Sequence, residues 1–364
     1  MSRYFHYLVF VNMIANVVAS VPKILILQRT EGAITSMIVS FFLGLVFCYI
    51  STRFFNFFPG QGLPDLTKKY LPRWLSFIIV FVFALSWFIA GLITLVTFSF
   101  LLKRFLTPDM PLPWITSTFL LFLTYGIVMK SRSVLYTIEF VLICCLPVIS
   151  IITIKAYTSP ELHWDFIKES LMHINQYPTF SGIAASIYLL LGGFNLIIFN
   201  RTFTREQRIN WKNMLFIGVI GGVALVTTYF IPIGMLGFDG VDSVVYPWIT
   251  TSDTLRLKFF VVERVLFIFL LLYLAISFLS VLIHWHVTLE LLKSIIWFKR
   301  LKWKEQNLTP HLFIGLFWVG SLTVVTYINE HKLTTYTSHF LNYLLCSFAV
   351  MFGLFWIIKR RAKV

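Results

Sequence analysis

The feature that most constrains this chain is a succession of long apolar runs separated by short basic loops. A helix needs about 20 apolar residues to cross the hydrocarbon of a bilayer. Runs of that order lie near 5–27, 33–52, 75–101, 112–129, 134–155, 182–200, 213–236, 262–298, 311–328 and 339–358. Inside a bilayer every backbone polar group must find an internal partner, which helices achieve alone. The pattern predicts an all-α integral membrane protein of about ten transmembrane helices, with residues 1–364 forming a single transmembrane domain. Composition agrees: charged residues make up only 12%, against roughly 25% in soluble domains. Mean hydropathy is +0.84.

The net charge of +15 does not point to nucleic acid. The basic residues sit in short loops between apolar runs, where they set topology, and no contiguous soluble basic face is left to hold a duplex. With the N-terminus inside, the inside loops collect Arg53, Lys68, Lys69 and Arg73, then Lys130 and Arg132, then Arg201, Arg205, Arg208 and Lys212. They also hold Lys293, Lys299, Arg300, Lys302 and Lys304, and the tail Lys359, Arg360, Arg361 and Lys363. That is most of the 30 Lys and Arg residues, so both termini are expected on the cytoplasmic side. The acids Glu161, Asp165, Glu169, Asp239, Asp242 and Asp253 then lie outside. The outside loops near 156–181 and 237–261 are long, mixing apolar and acidic residues; short helices over the outer mouth and plain connectors fit them equally.

Five spans plus five, an odd number per half, run in opposite directions and predict an inverted repeat. The halves are about 5–155 and 182–358. Such folds break the first helix of each half near mid-membrane, and freed backbone groups there meet ligand or ion. The first span carries Asn12, Asn16, Ser20 and Pro22; the sixth carries Gly192, Gly193 and Asn195 in the corresponding place.

Polar side chains in hydrocarbon turn toward protein or water. Asn12, Asn16 and Ser20 share one helix face of the first span. Ser86, Ala90, Thr94 and Thr97 share one in the third, and Ser277, Ser280 and His284 in the eighth. Each stripe alone is satisfied by close helix packing; their convergence with the interrupted helices favours a site. His284 falls near the middle of its span, as a hydrogen-bonding or proton-carrying group or a histidine held by a neighbouring helix. His286 faces elsewhere, so the two make a poor metal pair. Glu139, near the inner boundary of the fifth span, is expected to snorkel or to pair with Lys130 or Arg132. Glu263 and Arg264 are expected to latch the outer end of the eighth.

Cys48, Cys144, Cys145 and Cys346 all lie in apolar runs without zinc spacing and read as small hydrophobic residues. Nucleotide loops, Ser-His-Asp arrangements and paired catalytic carboxylates are not found in the sequence. The expectation is therefore a non-enzyme without cofactor.

Three stretches resemble the B subunit of bacterial spore germinant receptors, the endospore germination permeases. They are Ser20-Val21-Pro22-Lys23 after the first break; Val245-Tyr246-Pro247-Trp248-Ile249 with Leu255-Arg256-Leu257-Lys258 and Val262-Glu263-Arg264-Val265; and the tail Lys359-Arg360-Arg361. The resemblance covers nearly the whole chain. It implies the amino acid–polyamine–organocation superfamily and its LeuT-like five-plus-five fold. It also implies a nutrient sensor in the spore inner membrane that binds a small germinant, commonly an amino acid. The partners implied are a membrane-embedded A subunit and a lipoprotein C subunit. By position, the resemblance places the ligand among Ala15, Asn16, Ser86, Ala90, Gly192, Gly193, Asn195, Ser280 and His284. This chain departs from its relatives where Ala15-Asn16-Val17 replaces Gly-x-Gly, Asn195 replaces an acid, and Leu266 replaces an acid after Glu-Arg.

Three functions fit such a chain: a receptor subunit, a proton- or sodium-coupled amino-acid transporter, and a scaffold with a vestigial pocket. The resemblance and the scarcity of buried ionisable groups favour the first.

Overall fold

The computed structural model describes residues 3–18, 20–203, 210–256, 264–295, 302–303, 306–307 and 309–362. Glu263, Leu257, Lys258, Val262, Arg205, Arg208, Lys299, Arg300, Lys304 and Lys363 lie outside them.

The first apolar run forms two helices, α1 (Arg3–Val18) and α2 (Ser20–Leu27), bent by 54° relative to each other. The interruption expected from the Asn and Pro residues of this run is therefore present. α3 (Ala33–Phe57) follows, then the short α4 (Leu63–Tyr70). α4 starts with Pro64 in its first turn, and Asp65 accepts from the Gly62 N–H at 2.9 Å, a cap for donors that no helical carbonyl reaches. α5 (Arg73–Phe105), α6 (Leu112–Val128) and α7 (Ser131–Tyr157) come next.

The loop expected near 156–181 holds α8 (Trp164–Leu171) and a 3-10 turn at Met172–Asn175. The next apolar run, Phe180–Thr202, is a composite. It begins as α9 (Phe180–Tyr188), tightens into a 3-10 stretch over Leu189–Asn195, relaxes into α10 (Leu196–Phe199) and ends in a 3-10 turn at Asn200–Thr202. The second interruption thus also falls where Gly192, Gly193 and Asn195 placed it. α11 (Trp211–Leu236) leads into the second long loop, which holds a 3-10 turn at Val241–Ser243 and α12 (Pro247–Thr254). Both long loops therefore form short helices. α13 (Val265–Ile295), α14 (Thr309–Tyr327) and α15 (Glu330–Ala362) end the chain. Among the described residues, β pairing is confined to Lys302–Trp303 against Gln306–Asn307 and one bridge between Arg256 and Arg264.

The protein is an all-α integral membrane protein. Among the described residues, eight apolar elements are long enough to span a bilayer, and the bent α1–α2 pair counts as a ninth. The remaining apolar helix, α6, has 17 residues, about 25 Å at 1.5 Å per residue. The composite 180–202 segment is almost wholly buried, whereas α7 and α14 leave most of their surface outward. α1, α5, α9 and α13 therefore enclose the centre, with α7, α11 and α14 toward the periphery. Burial does not follow hydropathy among these helices, so position in the bundle is read from packing, because lipid and protein interior are similarly apolar.

α15 corrects the expected start at 339: it begins at Glu330. Its first turns are polar, but Lys332 N–H bonds Asn329 Oδ1 at 2.8 Å, and Glu330 pairs with Arg104 at the end of α5 at 2.6 Å. These contacts carry the helix beyond the apolar run.

Candidate functional site

The centre of the site is a contact between the two interrupted helices. In a 3-10 stretch each carbonyl bonds three residues onward rather than four, with poorer geometry. The carbonyls entering that stretch are those of Tyr188 and Leu189. The Asn12 side-chain amide on α1 donates to both, at 2.6 and 3.2 Å. Asn16, one turn on, donates to the Asn12 carbonyl at 2.8 Å. Asn195 closes the stretch by donating to the Gly192 carbonyl at 3.0 Å, and its Oδ1 accepts from Trp87 Nε1 on α5 at 2.7 Å. Buried amides here satisfy backbone that the irregular helix leaves open, as backbone at membrane depth requires.

Two small cavities flank this contact. The first, about 20 Å³, is lined by Asn12, Ser86, Trp87, Ala90, Tyr188, Leu191, Asn195, His284, Leu344 and Phe348. The second, also about 20 Å³, is lined by Asn16, Ser20, Val21, Ala90, Ile93, Thr94, Tyr188, Thr337, Phe340 and Leu341. Ala90 and Tyr188 belong to both, so the two adjoin as one seam with polar groups along it. Each has room for about one water.

His284 has a fixed orientation. Its Nδ1 lies 2.6 Å from the Ser280 carbonyl. A carbonyl only accepts, so Nδ1 carries hydrogen and Nε2 is the nitrogen that gains or loses a proton. His286 is held away from the site, with its ring nitrogens at 2.8 Å from Ser131 Oγ and 3.0 Å from the Ile127 carbonyl. Among the described residues no group of His, Cys, Asp and Glu is placed to hold a metal ion.

Of the nine positions suggested by the resemblance, Asn16, Ser86, Ala90, Asn195 and His284 line the seam. Ser280 acts behind His284 through its carbonyl. Ala15 is buried but lines neither cavity. Gly192 and Gly193 turn toward helix contacts instead. A Cβ on Gly192 would stand 2.5 Å from the Leu8 carbonyl oxygen and 2.7 Å from Val9 Cα, and one on Gly193 would stand 3.1 Å from the Phe5 ring. Their lack of side chains lets α1 and the 180–202 segment meet backbone to backbone, as small residues do in membrane bundles.

Sequence reasoning missed the α15 wall, Trp87 and Tyr188. Trp87 had a usable signal, since a mid-membrane indole N–H needs an acceptor and directly follows Ser86. α15 carries no interruption, yet Tyr343 joins Ser86 through their hydroxyls at 3.1 Å.

Polar clusters lie beyond the seam on either side along the interrupted helices. At the α2 end, buried Lys23 donates to the carbonyls of Asp242 and Val244, the latter at 2.8 Å, while Arg29 pairs with the Asp242 carboxylate at 3.0 Å. This gives the Ser20-Val21-Pro22-Lys23 stretch a physical role in pinning α2 to the loop after α11. At the opposite end, Arg201 grips Asp65 with two bonds of 2.8 Å and lies 3.6 Å from Glu290 on α13. Asn200 donates to the carbonyls of Phe58 and Gln61 at 2.8 and 2.7 Å. Burial would raise the Asp65 carboxyl, but the Arg201 guanidinium and the Gly62 N–H outweigh it and hold it below the usual range. Glu139 pairs with Arg3 at 2.9 Å, which corrects the expected pairing with Lys130 or Arg132. Arg3 starts the long α1, which packs along α7, and so reaches Glu139 directly.

A profile of spore germination proteins, the spore permeases, matches residues 2–333. The chain belongs to this spore germination protein family. The match spans both interrupted helices and ends in the first turn of α15. Membership makes the chain a germination-related, transporter-like membrane protein of a permease-like rather than an enzymatic family. No curated protein matches the chain in sequence.

Proposed function

We propose that this spore germination permease is the nutrient-binding, transporter-like subunit of a germinant receptor. It takes a small nutrient, an amino acid, between α1, α5, the 180–202 segment, α13 and α15. It passes the signal to a membrane-embedded A subunit and a lipoprotein C subunit in the spore inner membrane, with both its termini cytoplasmic. The halves 5–155 and 182–358 act as an inverted repeat whose broken first helices meet at the ligand.

The observation that carries this reading is the convergence of Asn12, Ser86, Asn195 and His284 on one cavity. These groups come from four elements, are uncharged hydrogen-bonding side chains or a switchable imidazole, and lie beside irregular backbone. That combination suits a small polar solute whose charges meet helix ends. Seams of about 20 Å³ admit such a ligand only when Tyr188 turns aside and joins them. A ligand that favours the joined arrangement shifts the balance between conformations, by about 1–3 kcal/mol in typical coupling, and the end clusters at Asp242 and Arg201 would feel that shift.

A coupled transporter is the second reading, and His284 supports it by placing an imidazole, a side chain able to carry a proton, on the seam. The proposal is tested by germination of spores that lack this chain, measured over an amino-acid panel. Loss of response to one nutrient group, restored by the wild-type chain, is expected. An unchanged response across the panel contradicts it.

A further inference from the structure

A cavity much larger than those of the seam lies apart from it. A cleft of about 580 Å³ lies between α1, α7, α11, α12 and α13. Its walls are almost entirely apolar, with Phe10, Met13 and Val17 on α1, Ile149 on α7, Ala224 on α11 and Phe269 on α13 among them. Water gains nothing there, and an empty apolar slot of this size forfeits the contacts of its lining.

Three observations say what fills it. The faces of α7 and α11 beside the cleft, including Ile143, Ile151, Ile154, Val219, Val223 and Val226, are exposed and apolar, so the cleft adjoins bilayer rather than water. One end holds Trp248, whose ring stacks on Phe269 at 6.0 Å. Its Nε1–H is buried with no acceptor among the described residues, and a buried indole N–H left unpaired is costly. At that same end, α7 carries Lys155 in its last turn, directly after Ile154 of the cleft wall. An apolar slot, one orphan donor and a cation beside the mouth match an acyl chain, an ester carbonyl and a phosphate. A transmembrane helix of a partner does not match. Helices are about 10–12 Å across, so this volume would hold only about one turn.

We propose that this cleft is a binding site for one anionic phospholipid. Its acyl chain lies along α1, α7 and α11, with an ester carbonyl accepting from Trp248 Nε1 and the phosphate near Lys155. The wall of α1 that meets the lipid is opposite the face carrying Asn12 and Asn16. The lipid therefore braces the half-helix that holds the polar seam.

The test is mass spectrometry of the purified full chain in detergent with added phosphatidylglycerol or phosphatidylcholine. The wild type is expected to retain one phosphatidylglycerol and to prefer it about threefold or more over phosphatidylcholine. Ala224→Trp, which fills the cleft, is expected to abolish retention. Trp248→Phe keeps the stacked ring and removes only the donor, so it separates lipid loss from misfolding; retention is expected to fall about fivefold. Lys155→Gln is expected to erase the headgroup preference. Val350→Trp, on an exposed face of α15, is expected to change nothing. Equal retention by wild type, Ala224→Trp and Trp248→Phe overturns the site. So does absence of retained lipid from the wild type, or a co-purifying polypeptide in its place. A wild type that retains both lipids equally overturns the role of Lys155.

Discussion

Asn12 and Tyr188 are joined by a 2.6 Å bond from the side-chain amide of one to the main-chain carbonyl of the other, across 176 residues. Each lies in an interrupted helix, so a single contact ties the two irregular segments together. Replacing Asn12 by Ala leaves the Tyr188 and Leu189 carbonyls short of a donor in a buried setting. A destabilisation of about 1–3 kcal/mol is expected, read as a lower melting temperature of the purified protein. Asn12→Asp, which offers no donor when ionised, is expected to be at least as harmful. Unchanged melting in both variants would remove this contact from the account.

Ala90 lines both cavities, whereas Gly193 packs against Phe5 and Cys48. Ala90→Trp is therefore expected to abolish germinant response with little change in protein level. Gly193→Trp is expected to lower the protein level itself, because overpacking a helix contact costs about 1–3 kcal/mol or more. Immunoblots beside germination assays separate the two. A normal response in Ala90→Trp places the nutrient elsewhere.

Asp65 is held below the ordinary carboxylate range by Arg201. A depressed folded value means that the pair stabilises the protein above the unfolded value, about 3.9. That contribution is lost as pH falls through the folded value. Asp65→Asn is thus expected to lower the melting temperature at neutral pH, with the difference from wild type shrinking below about pH 4. A difference that grows toward acid pH would contradict the pairing.

Topology follows from the charge count and is testable at exposed positions. Asp253 and Arg132 are both exposed. With single cysteines and a membrane-impermeant thiol reagent on intact cells, Asp253→Cys is expected to label and Arg132→Cys is not. The reverse pattern would invert the orientation.

Much of this was legible in the sequence because membrane physics is periodic and local. Apolar run length located the helices, and Gly192, Gly193 and Asn195 located the second interruption because backbone irregularity needs small or amide residues nearby. The stripes found Ser86 and Ala90 because helix geometry fixes which residues share a face. What escaped notice depends on contacts between distant segments. Nothing in the run containing Tyr343, Leu344 and Phe348 announces that α15 closes the seam. The helix contacts of Gly192 and Gly193 were not legible, because a missing side chain serves ligand approach and helix contact equally well until the neighbour is seen. Arg3 and Glu139 could not be paired from sequence spacing. The cleft at Trp248 leaves no pattern at all, since an apolar wall facing lipid and one facing protein have the same composition.

The central claim is that the seam binds nutrient to signal rather than to carry solute. It is tested most directly by reconstituting the purified chain in liposomes with a pH or sodium gradient and a radiolabelled amino-acid panel. The account predicts saturable binding to the wild type, loss of that binding in Ala90→Trp, and no accumulation beyond the bound amount with either gradient. Gradient-driven accumulation that disappears in His284→Gln would contradict it and make the protein a coupled transporter.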